Sequence, residues 1–211
     1  MRFSDRSAAG ELLGERLLDL GLERPVVLGL PRGGVVVAAG VARLLDAPLH
    51  VLVARKVGAP GNPEFAIGAV AEGGVTVFDD SSVGAFGLSE DQLAGMAQQE
   101  QAEVARRVEA YRGGLTLPPL EGRDVVVVDD GLATGLTAEA ALTSLRRADP
   151  ARLIFAVPVG AADSAESLRR LAEVVCLETP QPFGAVGFYY LDFTQVDDDE
   201  VLRLLHPLGP A

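Results

Sequence analysis

Val125-Val126-Val127-Val128-Asp129-Asp130-Gly131-Leu132-Ala133-Thr134-Gly135-Leu136-Thr137 is the stretch that decides the architecture of this chain. Val125–Val128 are four β-branched residues in a row and read as a buried strand. Asp129 and Asp130 stand at its carboxyl end, and a turn of small residues opens into a helix expected over Leu136–Arg147. Ligands of open parallel sheets bind outside the carboxyl ends of the strands, and the amide hydrogens at a helix start cradle phosphate. Carboxylates repel phosphate, so the acid pair needs another partner. An ionised carboxylate only accepts hydrogen bonds, which makes hydroxyl groups its natural complement. A phosphate with vicinal hydroxyls a few ångströms away is a ribose 5-phosphate. The plain alternative, a strand ending in a solvated Asp-Asp-Gly turn, leaves the Thr134 and Thr137 hydroxyls without a task.

Outward from this stretch, strands alternate with helices. A helix over Ser7–Leu20 precedes the short apolar strand Val26–Leu30. The turn Pro31–Gly34, a helix over Val35–Leu45 and the strand His50–Ala54 complete a parallel βαβ unit with a right-handed crossover. Gly58–Pro63 reads as a loop, Phe65–Ala71 and Val75–Phe78 as an edge hairpin, and Ser89–Arg112 as the longest helix, with Ser89 and Gln92 as a capping box. Strand Leu153–Val159, helix Asp163–Leu171, strand Val174–Leu177, a Pro-rich turn and a last helix over Glu200–Leu205 follow. The pattern is that of a doubly wound, mainly parallel α/β sheet flanked by helices. One domain is expected over residues 1–211, with a core at about 22–178. Residues 1–21 and 179–211 are expected to form a small lid over it.

The formal net charge is −12, from 30 acids against 18 bases. That balance argues against a nucleic-acid groove or an anionic membrane surface, and an anionic ligand has to be caught by a local positive pocket. No apolar run approaches the roughly 20 residues of a membrane span, and Met1–Arg6 lacks the apolar region of a secretory signal. The expected compartment is the cytoplasm. Cys176 is the single cysteine, in a predicted strand, and reads as a small core hydrophobe.

Two further strand ends carry chemistry. In Pro31-Arg32-Gly33-Gly34 the glycines let the backbone approach an anion, Arg32 can fork onto phosphate oxygens, and the following helix adds its positive end. In Arg55-Lys56-Val57-Gly58-Ala59-Pro60-Gly61-Asn62-Pro63-Glu64 two cations precede a loop able to close over a substrate and exclude water.

The run from Val125 to Thr137 resembles the 5-phosphoribosyl-1-pyrophosphate (PRPP) motif of the type I phosphoribosyltransferases: four apolar residues, two acids, then Gly, Ala and Thr positions ending in Thr. A Rossmann reading fails for want of GxGxxG, and a Walker loop for want of Gly-Lys-Ser/Thr. The resemblance covers nearly the whole chain and extends to the Arg55–Glu64 stretch and the aromatic tail, features of a bacterial branch whose acceptor is not established. It implies the type I fold with a hood formed by the N-terminal helix and C-terminal tail, and transfer of a phosphoribosyl group from PRPP to a nitrogen acceptor with release of pyrophosphate. Mg²⁺ is implied as an ion borne by the substrate, with no direct protein ligand.

By the same resemblance Asp129 and Asp130 orient the ribose hydroxyls and the waters of the metal. Gly131, Leu132, Ala133, Thr134, Gly135, Leu136 and Thr137 hold the 5-phosphate, while Arg32, Gly33, Gly34, Arg55 and Lys56 receive pyrophosphate. Some purine-salvage relatives carry an Asp where this chain has Ala133, so a general acid or base has to come from elsewhere, and Glu64 is the candidate. Phe183–Phe193 is either an acceptor-stacking wall or lid packing. His50 and His206 read as structural. A homodimer is an option, since sheet-edge dimers are common in the family. A PRPP-sensing regulatory protein is the competing reading, and the paired cations Arg55 and Lys56 favour an enzyme over it. A sugar-phosphate hydrolase is weaker still, for lack of an evident nucleophile.

Overall fold

The computed structural model describes residues 2–206. Its apolar runs become the centre of a five-stranded parallel sheet. β1 (Val26–Gly29) and β6 (Asp124–Val128) pair in register from Val26–Val125 to Gly29–Val128. β2 (Leu49–Val51) flanks β1, while β7 (Arg152–Val159) and β8 (Glu173–Glu178) continue beyond β6, giving the order β2-β1-β6-β7-β8. Both faces of such a sheet are covered, so its central strands are continuously apolar rather than alternating. Alternate side chains then feed two cores. Leu28, Val125, Val127 and Phe155 meet α5 (Leu136–Leu145), whereas Val27, Val126, Val128 and Ile154 meet α1 (Arg6–Leu18) and α2 (Gly33–Leu44).

The N-terminal helix therefore has two parts. Leu13 and Leu17 are fully buried beneath the sheet, while Ala9 packs with Phe3 and Tyr190 in a small separate cluster that joins the N-terminus to the C-terminal tail. That cluster brings together the two segments expected to form the hood, and residues 207–211 of the expected hood lie outside the described residues. α6 (Ala162–Leu168) covers the sheet beside β8, and α7 (Asp198–Leu205) packs through Val201 into the core shared by α2 and α4 (Glu90–Arg112). Among the described residues no helix is long and apolar enough to cross a membrane.

Two expectations are corrected by a second sheet. The run His50–Ala54 is not one strand. β2 ends at Val51, and the chain turns away while the Val53 amide donates to Glu72 Oε1 at 2.6 Å. β3 (Ala54–Ala59), β4 (Asn62–Ala71) and β5 (Val75–Phe78) then form an antiparallel sheet, so most of Gly58–Pro63 belongs to a hairpin flap and not to an open loop. The flap has a stiff root and a looser tip. Gly68–Ala71 of β4 pair with both β3 and β5, whereas residues 62–67 have β3 as their one strand partner, and the register slips on either side of Gly58.

The chain also holds a helix that its sequence conceals, α3 (Asp80–Phe86). Asp79-Asp80-Ser81-Ser82 looks like a turn, but the Asp79 carboxylate accepts from the Ser82 amide at 2.8 Å and caps the helix. The capping box of α4 at Ser89 and Gln92 forms as expected. Cys176 is half-buried, its thiol donating to the Glu178 carbonyl, and burial pushes its pKa up to about 11, so the thiol stays protonated.

Candidate active site at the sheet's switch point

From β1 the chain crosses through α2 to β2 on one side; from β6 it crosses through α5 to β7 on the other. The carboxyl ends of β1 and β6 therefore border the crevice where an open α/β sheet binds its ligand. Helix capping separates this crevice from its surroundings. α1, α3, α4 and α7 are capped by Asp5, Asp79, Ser89 and Asp197, whereas α2 and α5, which both start at the crevice, have no side-chain cap. The short α6 also lacks one. Two helix starts thus present their first amide hydrogens to the crevice, as anion binding requires.

Close packing explains the diglycine of Pro31–Gly34. A Cβ at Gly34 would stand 2.8 Å from the Val128 carbonyl oxygen and 2.9 Å from Asp129 Cα. A Cβ at Gly33 would collide with the Asp130 carboxylate and stand 2.6 Å from Arg6 Nε. Only bare backbone lets α2 begin against the acid pair. On the other side, Leu132 is buried and anchors the turn: its amide donates to the Val159 carbonyl at 2.9 Å, and its own carbonyl accepts from Ala161 at 2.8 Å. Ser164 Oγ donates to the Ala133 carbonyl at 2.5 Å. Gly131, with Val186 of the hood against it, and Gly135, the N-cap residue, complete the turn, leaving Ala133 and Thr134 exposed and Leu136 and Thr137 half-buried in the first turn of α5.

Asp129 and Asp130 differ in their partners. Asp129 Oδ1 accepts from the Asp130 amide at 2.8 Å, and among the described residues no side chain donates to this carboxylate. Burial, and then the neighbouring charge of Asp130, hold its carboxyl well above the usual carboxylate range. Burial also raises Asp130, but Arg6 opposes it. Arg6 Nε donates to Asp130 Oδ2 at 2.7 Å, with side-chain exposures of 11% and 19%. The same guanidinium donates through Nη1 to the Thr194 carbonyl at 2.9 Å and lies 3.8 Å from the centroid of the Phe193 ring. Tyr190 OH donates to the Asp130 carbonyl at 2.6 Å.

Arg6 was not among the residues that sequence reasoning singled out. The signal is a local inconsistency. A cation in the first position of a helix opposes the macrodipole, and a position that breaks a local rule points to a task elsewhere.

The flap cations part company. Successive strand residues point to opposite faces. Arg55 pairs with Glu100 of α4 at 3.0 Å, away from the crevice, so the structure does not bring it to the other site residues. Lys56 faces the α5 side and lines a cavity of about 490 Å³ with Glu64, Phe65, Ala133, Thr134 and Leu136. Lys56 Nζ bonds Glu64 at 2.9 Å, Glu64 is 89% exposed, and the Lys56 hydrogen bond lowers its carboxyl pKa.

A smaller cavity of about 260 Å³ lies between Arg6, Arg32, Gly33, Phe193, Gln195 and Val196. Among the described residues the Arg32 side chain has one long ionic contact, 3.9 Å to Asp198. Of the aromatic tail, Phe193 reaches this cavity, Tyr190 is buried against Phe3 with centroids 5.5 Å apart, and Phe188 is exposed. The acid pair thus offers two carboxylates, one of them without a side-chain donor among the described residues. That set suits a hydrated divalent ion carried in by a phosphorylated ligand better than a protein-built cage.

Comparison with known proteins agrees with this geometry. The family model described as "Phosphoribosyl transferase domain" matches residues 6–192. Two Mycobacterium tuberculosis proteins, strains CDC 1551 / Oshkosh and H37Rv, each named "Putative phosphoribosyl transferase", are 47% identical over 204 residues, or 96% of this chain. The chain spans about half their length, 46%. TT1426 of Thermus thermophilus, known from a crystal structure, is 51% identical with a TM-score of 0.81, over 97% of this chain and 98% of that one. A Neisseria gonorrhoeae protein solved with ppGpp bound shares the fold alone, at 15% identity and a TM-score of 0.53 over 98% and 97% of the two chains. A parallel sheet with an acid pair and two uncapped helix starts at its switch point, and a family model that begins at Arg6 and ends in the hood, lead to one statement: the chain belongs to the phosphoribosyl transferase domain family.

Proposed function

We propose that the crevice binds PRPP and transfers its 5-phosphoribosyl group to a nitrogen acceptor with release of pyrophosphate. The observation that carries this reading is the convergence of two uncapped helix starts on one carboxylate pair, a complement to two phosphoryl groups with sugar hydroxyls between them. Amides from Gly131 to Thr137 at the start of α5 take the 5-phosphate. Asp129 and Asp130 accept the ribose hydroxyls. Arg32, Gly33 and Gly34 receive pyrophosphate at the start of α2, where a fork and a helix end act together. Asp129 and Asp130 would hold the waters of a substrate-borne Mg²⁺, which would supply charge neutralisation to the pyrophosphate. Most of the rate then comes from placement and fixed charge.

Lys56 is the flap's contribution. It stands over the phosphate turn with Glu64 as counter-ion, and an incoming phosphoryl oxygen competes with that carboxylate. Glu64 is held ionised by Lys56, which suits a displaced counter-ion better than a general acid. Arg55 is left out of the pyrophosphate set, since its partner is Glu100.

A pyrophosphate-release assay with PRPP, Mg²⁺ and a panel of nucleobases and amines tests the proposal. Release dependent on one acceptor class supports it and identifies the acceptor. PRPP binding without release for any acceptor would instead indicate a sensor, and failure to bind PRPP would remove the reading altogether.

A further inference from the structure

We propose that Arg6 is a positioning residue that couples the sugar side of the crevice to the hood, so that a ligand on the acid pair orders the segment Asp192–Val196. This rests on the reading of Asp130 as a ribose-facing group. One guanidinium makes three contacts in three directions: Nε to Asp130 Oδ2 at 2.7 Å, Nη1 to the Thr194 carbonyl at 2.9 Å, and its flat face to Phe193 at 3.8 Å. The side chain is 11% exposed, so these contacts replace water. The hood segment has few regular bonds of its own. The Asp192 amide donates to the Ser4 carbonyl at 2.9 Å, and the Asp192 carboxylate accepts from the Thr194 amide at 2.9 Å and from its hydroxyl at 2.6 Å. No regular secondary structure covers 192–196.

The guanidinium is a rigid plane with donors in a fixed fork. A movement of Asp130 Oδ2 toward a ligand tilts that plane, and the tilt is felt at both Phe193 and Thr194. The small cavity between Arg6, Arg32, Gly33, Phe193, Gln195 and Val196 lies on the far side of this junction. Its wall, already held by Arg6, is therefore tightened when the sugar is seated. A lysine could supply the charge to Asp130, yet it has neither the second donor direction nor the stacking face.

Hydrogen exchange on the intact chain, with and without PRPP and Mg²⁺, tests this. In the wild type PRPP should slow exchange both in the turn Gly131–Thr137 and in Asp192–Val196. Arg6→Lys should keep the protection of the turn, lose that of the hood segment, and weaken PRPP less than tenfold. Arg6→Ala should speed exchange at 192–196 even without ligand and weaken PRPP tenfold or more. Phe193→Leu cuts the junction from the other side without touching the Asp130 contact; it should also keep protection in the turn and lose it in the hood. Hood protection transmitted in full by Arg6→Lys, or absent from the wild type while the turn is protected, would overturn the coupling and leave the PRPP reading standing. No protection of the turn in the wild type would overturn the PRPP reading itself.

Discussion

Gly33→Ala places one methyl group at the centre of the crevice, and its effect can be worked from contacts alone, since Gly33 is not among the glycines with positive φ. The new Cβ would stand 2.6 Å from Arg6 Nε, where ordinary contact begins at 3.4 Å, so that atom has to withdraw by about 0.8 Å, and Asp130 Oδ2, which is closer still, by more. The 2.7 Å hydrogen bond between them does not survive in its present form. Both groups are mostly buried, so loss of a charge-assisted bond should cost about 1.5–3 kcal/mol. For a chain of this length that lowers Tm by about 3–12 °C. Displacement of Asp130 should also weaken PRPP at least about tenfold, since each tenfold corresponds to about 1.4 kcal/mol. Urea and thermal melts give the first quantity, and titration calorimetry with PRPP and Mg²⁺ the second. Gly34→Ala is the comparison: its Cβ meets the backbone of Val128 and Asp129, so stability should fall at least as far. A Gly33→Ala protein with wild-type melting and wild-type PRPP affinity would refute the claim that the diglycine exists to seat the acid pair.

Four other substitutions divide the site's roles. Asp129→Asn should stabilise the free protein near neutral pH and abolish PRPP binding, because the carboxyl is held above its ordinary range and its charged form strains the fold. The sign follows from that direction: the wild type loses stability as pH climbs from about 4 through the raised value, so the two melting curves should coincide in acid and separate toward neutrality; no separation would show that the pair is not strained. Arg55→Ala should leave PRPP affinity within about twofold and cost no more than about 1 kcal/mol, whereas Lys56→Ala should weaken PRPP severalfold; equal losses in calorimetry would return Arg55 to the site. Glu64→Gln should tighten PRPP a few-fold with turnover preserved, by freeing Lys56, and a large fall in turnover at unchanged affinity would make Glu64 a proton carrier.

The central strands and the crevice were legible because their signals are local. Val125–Val128 next to two acids and a small-residue turn specify a strand and a helix start within thirteen residues, and the structure has β6 end at Val128 and α5 begin at Leu136. The Gly33-Gly34 turn was legible as a place of close backbone approach, but its tight fit against Asp130 was not, since the two lie far apart in the chain. The flap was misread because Gly58, Pro60, Gly61 and Pro63 all signal a loop, while the pairing of Ala54–Ala59 with Asn62–Ala71 depends on a second sheet that has no local signature. Once Arg55 and Lys56 belong to a strand, alternation sends them to opposite faces. Arg6 lay hidden because its partner Asp130 is 124 residues away, and only its misfit with the helix dipole marked it.

The slipped register around Gly58 has a consequence for timing. Lys56 lies opposite Ala69 in the part of the flap braced on both sides, while Glu64 lies in the part braced on one, so their ion pair spans a flexure. It works as a clasp whose fixed half is a cation and whose swinging half is an anion. Any phosphorylated molecule that takes the cation opens the clasp, and its departure is completed when the carboxylate swings back. Solvent viscosity and ionic strength should therefore govern how fast a phosphorylated ligand leaves the crevice.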